Sequence, residues 1–330
     1  MIPGSSSESD GARRPDRVRL ANWLLLRFIL DVAAGLRASR NPMDGVIVAT
    51  ISQANVAAIT RDLEQQALFG GADAPPPDDQ RRPISVNALA NTLRAPFETV
   101  RRRVRALEAV GLCERREGGL IVPTRVVTTP EFLSHVNFAY DRLRQLHADL
   151  ERYGLLPSLP PAVTTLEPQA RPVRAVSRLT TDFILRVVDE VTAEVGDLAG
   201  AVLFLELVRA STESLDPDLV GLGAWSGEQV FADELRRGVR PARLAVEIGQ
   251  PLETVRRHVR RLQENGCCRR ATGGMVVGRE VMGGAAATRV MAANLVSLDR
   301  LMAQLSQQGV LQLWSALPRG EPAMTRTVPF

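Results

Sequence analysis

The feature that most constrains this chain is an internal repeat at an offset of 155 residues. Residues 96–111 and 251–266 are identical at 10 of 16 aligned positions, and both contain the string Glu-Thr-Val-Arg-Arg. Self-similarity over such a distance is typical of a duplicated structural unit. The sequence therefore predicts two copies of one module, at 19–156 and 178–311.

The segments outside the two copies differ from them in composition. Residues 157–177 contain five prolines, which predicts an extended, semi-rigid linker. Residues 1–18 predict a disordered N-terminus, and residues 312–330 predict a C-terminal tail.

Apolar periodicity predicts the same series of elements in each copy: two apolar helices, a short helix, a turn, a longer helix, a hairpin with a Gly-Gly turn, and a closing helix. In the first copy these lie at about 19–37, 44–68, 84–93, 97–110, 112–125 and 129–153. In the second copy they lie at about 176–195, 198–213, 240–248, 252–265, 267–280 and 284–308.

A short helix, a turn, a longer helix and a hairpin follow one another in a winged helix-turn-helix. That order falls at about 81–125 in the first copy and about 236–279 in the second. The predicted fold is therefore mainly α with small β-wings, a tandem duplication of a winged helix-turn-helix module embedded in helices.

Composition excludes several other classes. No apolar run approaches the roughly 18 residues of a membrane-spanning helix. The three cysteines form neither a disulfide framework nor a CxxC zinc pair, which favours a reducing, cytoplasmic location. No P-loop, HExxH or GxSxG motif is present, so we expect no enzyme activity, no cofactor and no metal site.

The longer helix of each copy predicts two opposite faces. Its valines and leucines recur every three or four residues, which places them on one buried face. The opposite face carries the same residue types in both copies: Glu98, Thr99, Arg102 and Arg105 in the first, and Glu253, Thr254, Arg257 and Arg260 in the second.

Positive charge is concentrated on these predicted winged helices. Residues 81–125 hold 10 arginines against 4 glutamates, and residues 236–279 hold 11 arginines against 3 glutamates. Together they carry a net charge of +14 in a chain whose total is +4. Such clustering on one kind of element is typical of nucleic-acid binding.

An arginine-rich helix of this size fits the major groove, where arginine donates two hydrogen bonds to guanine and glutamate accepts from cytosine. Neighbouring arginines reach phosphates. The candidate DNA-binding residues are Glu98, Thr99, Arg101, Arg102, Arg103, Arg105, Arg115 and Arg116 in the first copy, and Glu253, Thr254, Arg256, Arg257, His258, Arg260, Arg261, Arg269 and Arg270 in the second.

A plainer interpretation of the same helices is a solvated face with ion pairs four residues apart. Glu98 and Arg102 have that spacing, as do Glu253 and Arg257. Retention of both the glutamate and the arginine in two diverged copies favours the DNA-binding interpretation.

The stretch Glu98-Thr-Val-Arg-Arg102, with its copy Glu253-Thr-Val-Arg-Arg257, resembles the recognition helix of the Crp–Fnr family of bacterial regulators. In that family the glutamate and the last arginine contact base edges, and the resemblance implies the same for Glu98, Arg102, Glu253 and Arg257. It covers about 45 residues per copy. No cyclic-nucleotide-binding domain precedes either copy, so the family's nucleotide effector is not implied.

These observations predict a cytoplasmic, nucleoid-associated bacterial transcriptional regulator that binds double-stranded DNA as a pseudo-dimer. Two recognition helices in one chain predict an imperfect inverted repeat with half-site centres about 10 bp apart, or a multiple of it. Two alternatives remain open. One is a plasmid-type replication initiator that binds origin repeats, and the other is a winged-helix scaffold for protein partners.

Two further features have more than one interpretation. Cys113 and Cys268 coincide in the repeat beside Cys267, which fits either a thiol redox switch or small apolar residues under a wing. The apolar runs Trp23–Leu30 and Val202–Val208 fit either the buried core of the copies, a homodimer interface or an effector pocket.

Overall fold

The computed structural model describes residues 16–35, 42–216, 233 and 236–317. Over these residues the chain is mainly helical with two small antiparallel sheets, in agreement with the predicted mainly α fold with small β-hairpins. The first half contains α1 (Arg17–Gly35), α2 (Pro42–Asn55), α3 (Ala57–Arg61), α4 (Leu63–Leu68), α5 (Val86–Thr92), α6 (Phe97–Ala109), β1 (Glu114–Arg116), β2 (Gly119–Ile121), α7 (Thr124–Val127) and α8 (Pro130–Arg152). The second half contains α9 (Val173–Val195), α10 (Leu198–Ser211), α11 (Pro241–Glu247), α12 (Leu252–Glu264), β3 (Arg269–Ala271), β4 (Gly274–Val276), α13 (Arg279–Met282), α14 (Ala285–Gln307) and α15 (Val310–Ala316).

From α5 to α8 and from α11 to α14, corresponding elements have equal lengths and lie 155 residues apart. The turn between the short and the long helix needs a left-handed residue in both halves. Gly249 supplies it with a φ of 65°, whereas Arg94 has a φ of 47°. Glycine adopts this conformation without steric penalty. The Arg94 guanidinium is bound to Asp189 on α9, with Nε 2.6 Å from Oδ1, so this turn is tied to the other half of the chain.

Each hairpin pairs with a residue ahead of the short helix, which makes a third, one-residue strand. Ile84 bridges to Leu120, and Val239 bridges to Met275. The first residue of the second strand is a glycine because the approaching backbone leaves no room for a side chain. A Cβ on Gly119 would lie 2.4 Å from the Ile84 carbonyl oxygen.

The helix predicted over 44–68 is divided into α2, α3 and α4. α2 ends at Asn55, whose side chain bonds to the hairpin: Nδ2 donates to the Leu120 carbonyl at 3.1 Å, and Oδ1 accepts from the Val122 N–H at 2.9 Å. Asp62 then caps α4 by accepting two backbone N–H bonds of its first turn. The apolar periodicity that predicts one helix carries no information about these distant partners.

The central core is built from helices of both halves. α1 and α8 pack with α9, α14 and α15 in one apolar cluster, where the rings of Phe28 and Phe183 lie 6.5 Å apart. The Asn22 side chain of α1 donates a hydrogen bond to the Met291 carbonyl of α14 at 3.2 Å. Most apolar residues of Trp23–Leu30 lie in this core, and Leu26 and Leu30 pack against a second cluster.

Two smaller cores lie under the hairpins. One joins α2, α5, α6 and β2 around residues such as Val104, and the other joins α10, α11, α12 and β4 around residues such as Val259. Each includes a contribution from the other half: Val188 of α9 belongs to the first cluster, and Leu26 of α1 packs against the second. The two halves therefore interlock.

The last helix, α15, includes part of the segment 312–330 that the sequence assigns to a tail. Trp314 is buried, and its Nε1 donates to the Tyr140 hydroxyl at 2.7 Å, with the two rings edge to face. The segment between the halves is anchored nearby, where the Ser306 hydroxyl donates to the Pro160 carbonyl. Packing against the first half thus orders a stretch that is too short for periodicity to identify.

Two other predicted boundaries differ from the structure. α1 begins at Arg17, inside the segment 1–18 predicted to be disordered, and α9 begins at Val173, inside the predicted linker 157–177. Residues 1–15 and 318–330 lie outside the described part of the chain. None of the described helices combines the length and the apolar character needed to cross a bilayer.

Candidate nucleic-acid interface

α6 and α12 have the two faces that their sequences predict. The buried side of each helix is formed by two valines and a leucine, and the opposite side is exposed. The buried residues are Val100, Val104 and Leu107 in α6 and Val255, Val259 and Leu262 in α12. The exposed residues are Glu98, Arg102 and Arg105 in α6 and Glu253, Arg257 and Arg260 in α12, with Thr99 and Thr254 half-buried at the edges.

The glutamate of each face is bound by the arginine three residues later. Glu98 accepts from Arg101, with Nη2 2.6 Å from Oε2, and Glu253 accepts from Arg256 at 3.4 Å. The alternative pairing four residues apart, with Arg102 or Arg257, is therefore not the one formed. Arg102 and Arg257, the second arginines of the two Arg-Arg pairs, are therefore not bound by these glutamates.

Several arginines of the exposed surface make no hydrogen bond or ion pair with any described residue. They occupy matching positions on the two helices, and one lies on the second hairpin. They are Arg102, Arg105, Arg257, Arg260 and Arg270. Exposed guanidinium groups without protein partners are available to bind phosphates or base edges.

Other candidate arginines are held within the protein. Arg103 of α6 lies 3.5 Å from Asp44 in the first turn of α2, and Arg261 of α12 lies 2.8 Å from Asp197 at the N-terminus of α10. These pairs orient each helix on its neighbour. A hairpin arginine is held in the same way, since Arg115 lies 3.0 Å from a glutamate of α6.

Two more hairpin arginines are bound to acidic residues. Arg116 pairs with Glu114 on its own strand, and Arg269 pairs with Asp233. The candidate arginines therefore divide into a set that is paired with acidic residues and a set without protein partners.

An ion pair that the sequence patterns did not predict lies beneath each hairpin. Asp78 accepts hydrogen bonds from the Thr124 N–H and hydroxyl, both at 2.6 Å, and lies 3.3 Å from buried Arg81. Burial opposes ionisation of Asp78, but the Thr124 bonds and the arginine outweigh it and lower the pKa of the carboxyl. The second half repeats the pair, with Asp233 3.5 Å from Arg236. The 155-residue offset between these aspartates is the signal that could have found them.

His258 differs from the arginine that it replaces. It is half-buried, and burial lowers its pKa below the ordinary value, with Arg257 and Arg261 adding to the effect against the opposing charge of Asp197. The imidazole is therefore mainly neutral at pH 7. It contributes a polar group at this position, whereas Arg103 contributes a charge.

The cysteines lack the environment that a thiolate needs. Burial raises the pKa of Cys113 and of Cys268 to about 12. Their thiols lie 4.0 Å and 3.9 Å from the carbonyl oxygens of Val104 and Val259. Burial also raises the pKa of Cys267. The environment therefore favours packing over redox switching for these residues.

One open cleft of about 680 Å³ is bordered by both arginine-bearing helices. Arg103 borders it from α6, and Thr254 and Arg257 border it from the first turns of α12, with Asp44 and Gly249 beside them. The cleft therefore joins one side of α6, at Arg103, to the first turns of α12.

The described residues contain no group of three or more histidine, cysteine, aspartate or glutamate side chains arranged to hold a metal ion.

No protein-family model matches the chain, and neither a curated protein nor a solved structure matches it.

Proposed function

We propose that the chain is a sequence-specific, double-stranded-DNA-binding transcriptional regulator, built from a duplicated winged helix-turn-helix. The observation that carries the proposal is the pair Arg102 and Arg257. These side chains occupy matching positions on α6 and α12, are exposed, and have no acidic partner among the described residues, although a glutamate stands four residues before each.

The chemistry of these faces suits the major groove. An unpaired guanidinium donates two parallel hydrogen bonds to guanine O6 and N7. Glu98, oriented by Arg101, retains acceptor capacity for a cytosine amino group. Arg105 and Arg260, one turn further along their helices, are placed to bind phosphates.

The shared cleft bears on the length of the DNA site. Arg103 of α6 and Arg257 of α12 both border it. The spacing of the two half-sites in a selected duplex therefore measures how far apart α6 and α12 lie on DNA.

The test is selection of binding sites from random duplexes with the full chain, followed by affinity measurements at two salt concentrations. We expect a two-part motif and an affinity that falls steeply with salt, because several phosphate contacts release counterions. Absence of binding at low salt would exclude the proposal and favour a scaffold for protein partners.

The arrangement of the selected motif separates the remaining possibilities. Two half-sites in inverted orientation support a pseudo-dimeric regulator, whereas direct repeats favour an origin-binding initiator. Salt-sensitive binding without an enriched motif would contradict sequence specificity. In that case α6 and α12 contact the DNA backbone alone.

A further inference from the structure

A cavity of about 470 Å³ lies between α1, α9, α10 and the beginning of α14, beside the C-terminal end of α12. Its volume falls within the range of small-molecule sites, about 300–1,000 Å³. The walls are mostly apolar and include Leu26, Ile29, Val191, Phe204, Val208 and Val290.

The cavity coincides with a sequence difference between the two halves. Ala287 and Val290 border it on α14, and the corresponding positions of α8 hold Phe132 and His135. Phe132 packs against two of the apolar cores. The smaller side chains of Ala287 and Val290 therefore leave a cavity in the second half. At the corresponding position of the first half, the ring of Phe132 fills the space.

Two buried polar side chains on the cavity wall have atoms without a hydrogen-bond partner. Arg236 is 8% exposed, and neither its Nε nor its Nη1 has a hydrogen-bond acceptor. Its nearest carboxylate, Asp233, lies 3.5 Å from Nε. Asn294 is 9% exposed, and its Oδ1 has no donor. A buried donor without an acceptor destabilises the protein, and the cost is larger when the donor is charged, so a ligand that supplies an acceptor here is favoured.

The carboxylates on the same wall are bound to other residues. Glu194 lies 2.9 Å from Arg289, and Glu280 lies 3.3 Å from Arg269. Neither of them supplies the acceptor that Arg236 lacks. The polar part of the cavity thus combines these paired carboxylates with the unsatisfied N–H donors of Arg236, and most of the remaining wall is apolar.

We infer that this cavity binds a small amphipathic acid, with its apolar body against α1 and α10 and its carboxylate accepting hydrogen bonds from Arg236. Asn294 Oδ1 is placed on the wall to accept from a hydroxyl or amide of such a ligand. The inference does not depend on DNA binding, because ligand binding is measured directly on the isolated chain.

The test uses sodium decanoate as the probe and decan-1-ol as its uncharged counterpart, each titrated into the full chain by calorimetry and by thermal unfolding. We expect decanoate to bind at least tenfold more tightly than decanol and to raise the melting temperature as its concentration rises. Equal affinity for the two probes would overturn the assignment of an acid-binding site.

Two substitutions on α14 locate the site. Ala287→Phe introduces the ring that the first half carries at Phe132, and it should reduce decanoate affinity at least tenfold. Ala292→Phe adds the same ring at an exposed position of the same helix and should leave affinity unchanged. Unchanged binding in Ala287→Phe would overturn the proposal.

Arg236→Gln tests the head-group contact. It should lower the affinity for decanoate to that for decanol without changing the affinity for decanol. If this variant fails to fold, because Arg236 also pairs with Asp233, the two-probe comparison and the α14 variants still decide the outcome.

Discussion

Two neighbouring arginines on α6 differ in whether an acidic side chain binds them. Arg101 is bound to Glu98, whereas Arg102 has no acidic partner among the described residues. We expect Arg102→Ala to weaken binding to the selected duplex by about 1–3 kcal/mol and to relax the base preference in one half-site. Fluorescence anisotropy with the selected duplex and a scrambled duplex measures both effects.

The control for this substitution is Arg300→Ala, which removes the same charge from an exposed position on α14. It should lower the affinity for both duplexes slightly and equally, because it changes only the net charge of the chain. If Arg102→Ala weakens binding to the selected and the scrambled duplex by the same factor, its side chain contacts phosphate and reads no base.

The cysteines give a second prediction at the residue level. Because burial raises the pKa of Cys113 and Cys268 to about 12, both remain protonated thiols at pH 8. In the Cys267→Ser variant, dithiobis(nitrobenzoate) should react slowly with the folded chain and with two thiols after denaturation. Rapid modification of Cys113 or Cys268 in the folded variant would contradict this prediction and favour the interpretation as a thiol redox switch.

At the level of elements, each hairpin depends on a glycine where the preceding chain crosses it. Gly119→Ala places a Cβ 2.4 Å from the Ile84 carbonyl oxygen at a φ of 147°. We expect it to destabilise the fold by about 1–3 kcal/mol, as measured by urea unfolding. Gly274→Ala should act alike, because its Cβ meets the Val239 backbone at the same distance.

The matched control is Gly71→Ala, whose Cβ would meet no atom within 4 Å. Its φ lies outside the left-handed region, so the substitution should change the midpoint of unfolding little. An equally small effect of Gly119→Ala would show that the hairpin shifts to accommodate the methyl group without loss of stability.

The elements that sequence patterns predict well are those whose signal is local. α6 and α12 combine a strong apolar stripe with glycines just beyond their ends, and their observed bounds differ from the predicted ones by a residue. The end of α2 at Asn55 was not predictable in this way, because Asn55 bonds to Leu120 and Val122 in a distant hairpin.

The candidate site follows the same rule. The exposed glutamates and arginines of both helices could be assigned from a spacing of about 100° per residue. Which arginine pairs with Glu98 could not, because Arg101 and Arg102 both lie within reach on a helix. The hydrogen bonds of Asp78 could not be predicted either, because its partner Thr124 follows the hairpin, 46 residues later in the chain.

For the whole molecule, a buried hydrogen bond links the first half to the last helix. Tyr140→Phe removes the acceptor of the Trp314 indole N–H, and a buried donor left unpaired costs about 1–3 kcal/mol. We expect one cooperative urea transition with a lower midpoint, by both circular dichroism and tryptophan fluorescence. Two separate transitions, with one unchanged, would contradict the interlocked core.

A double variant distinguishes the hydrogen bond from general loss of packing. Tyr140→Phe with Trp314→Phe removes donor and acceptor together, so no buried N–H remains unpaired at this contact. The combined loss of stability should therefore be smaller than the sum of the single losses.

The packing of α1 against the second half also bears on how the protein is made. Asn22 meets the Met291 carbonyl, 269 residues further along the chain. At about 5–20 residues per second, a ribosome needs roughly 15–50 s to synthesise that interval. During this time α1 can pack against α8 of its own half, but its contacts with the second half do not yet exist. The central core is complete only once α15, the last helix that contributes to it, has been synthesised.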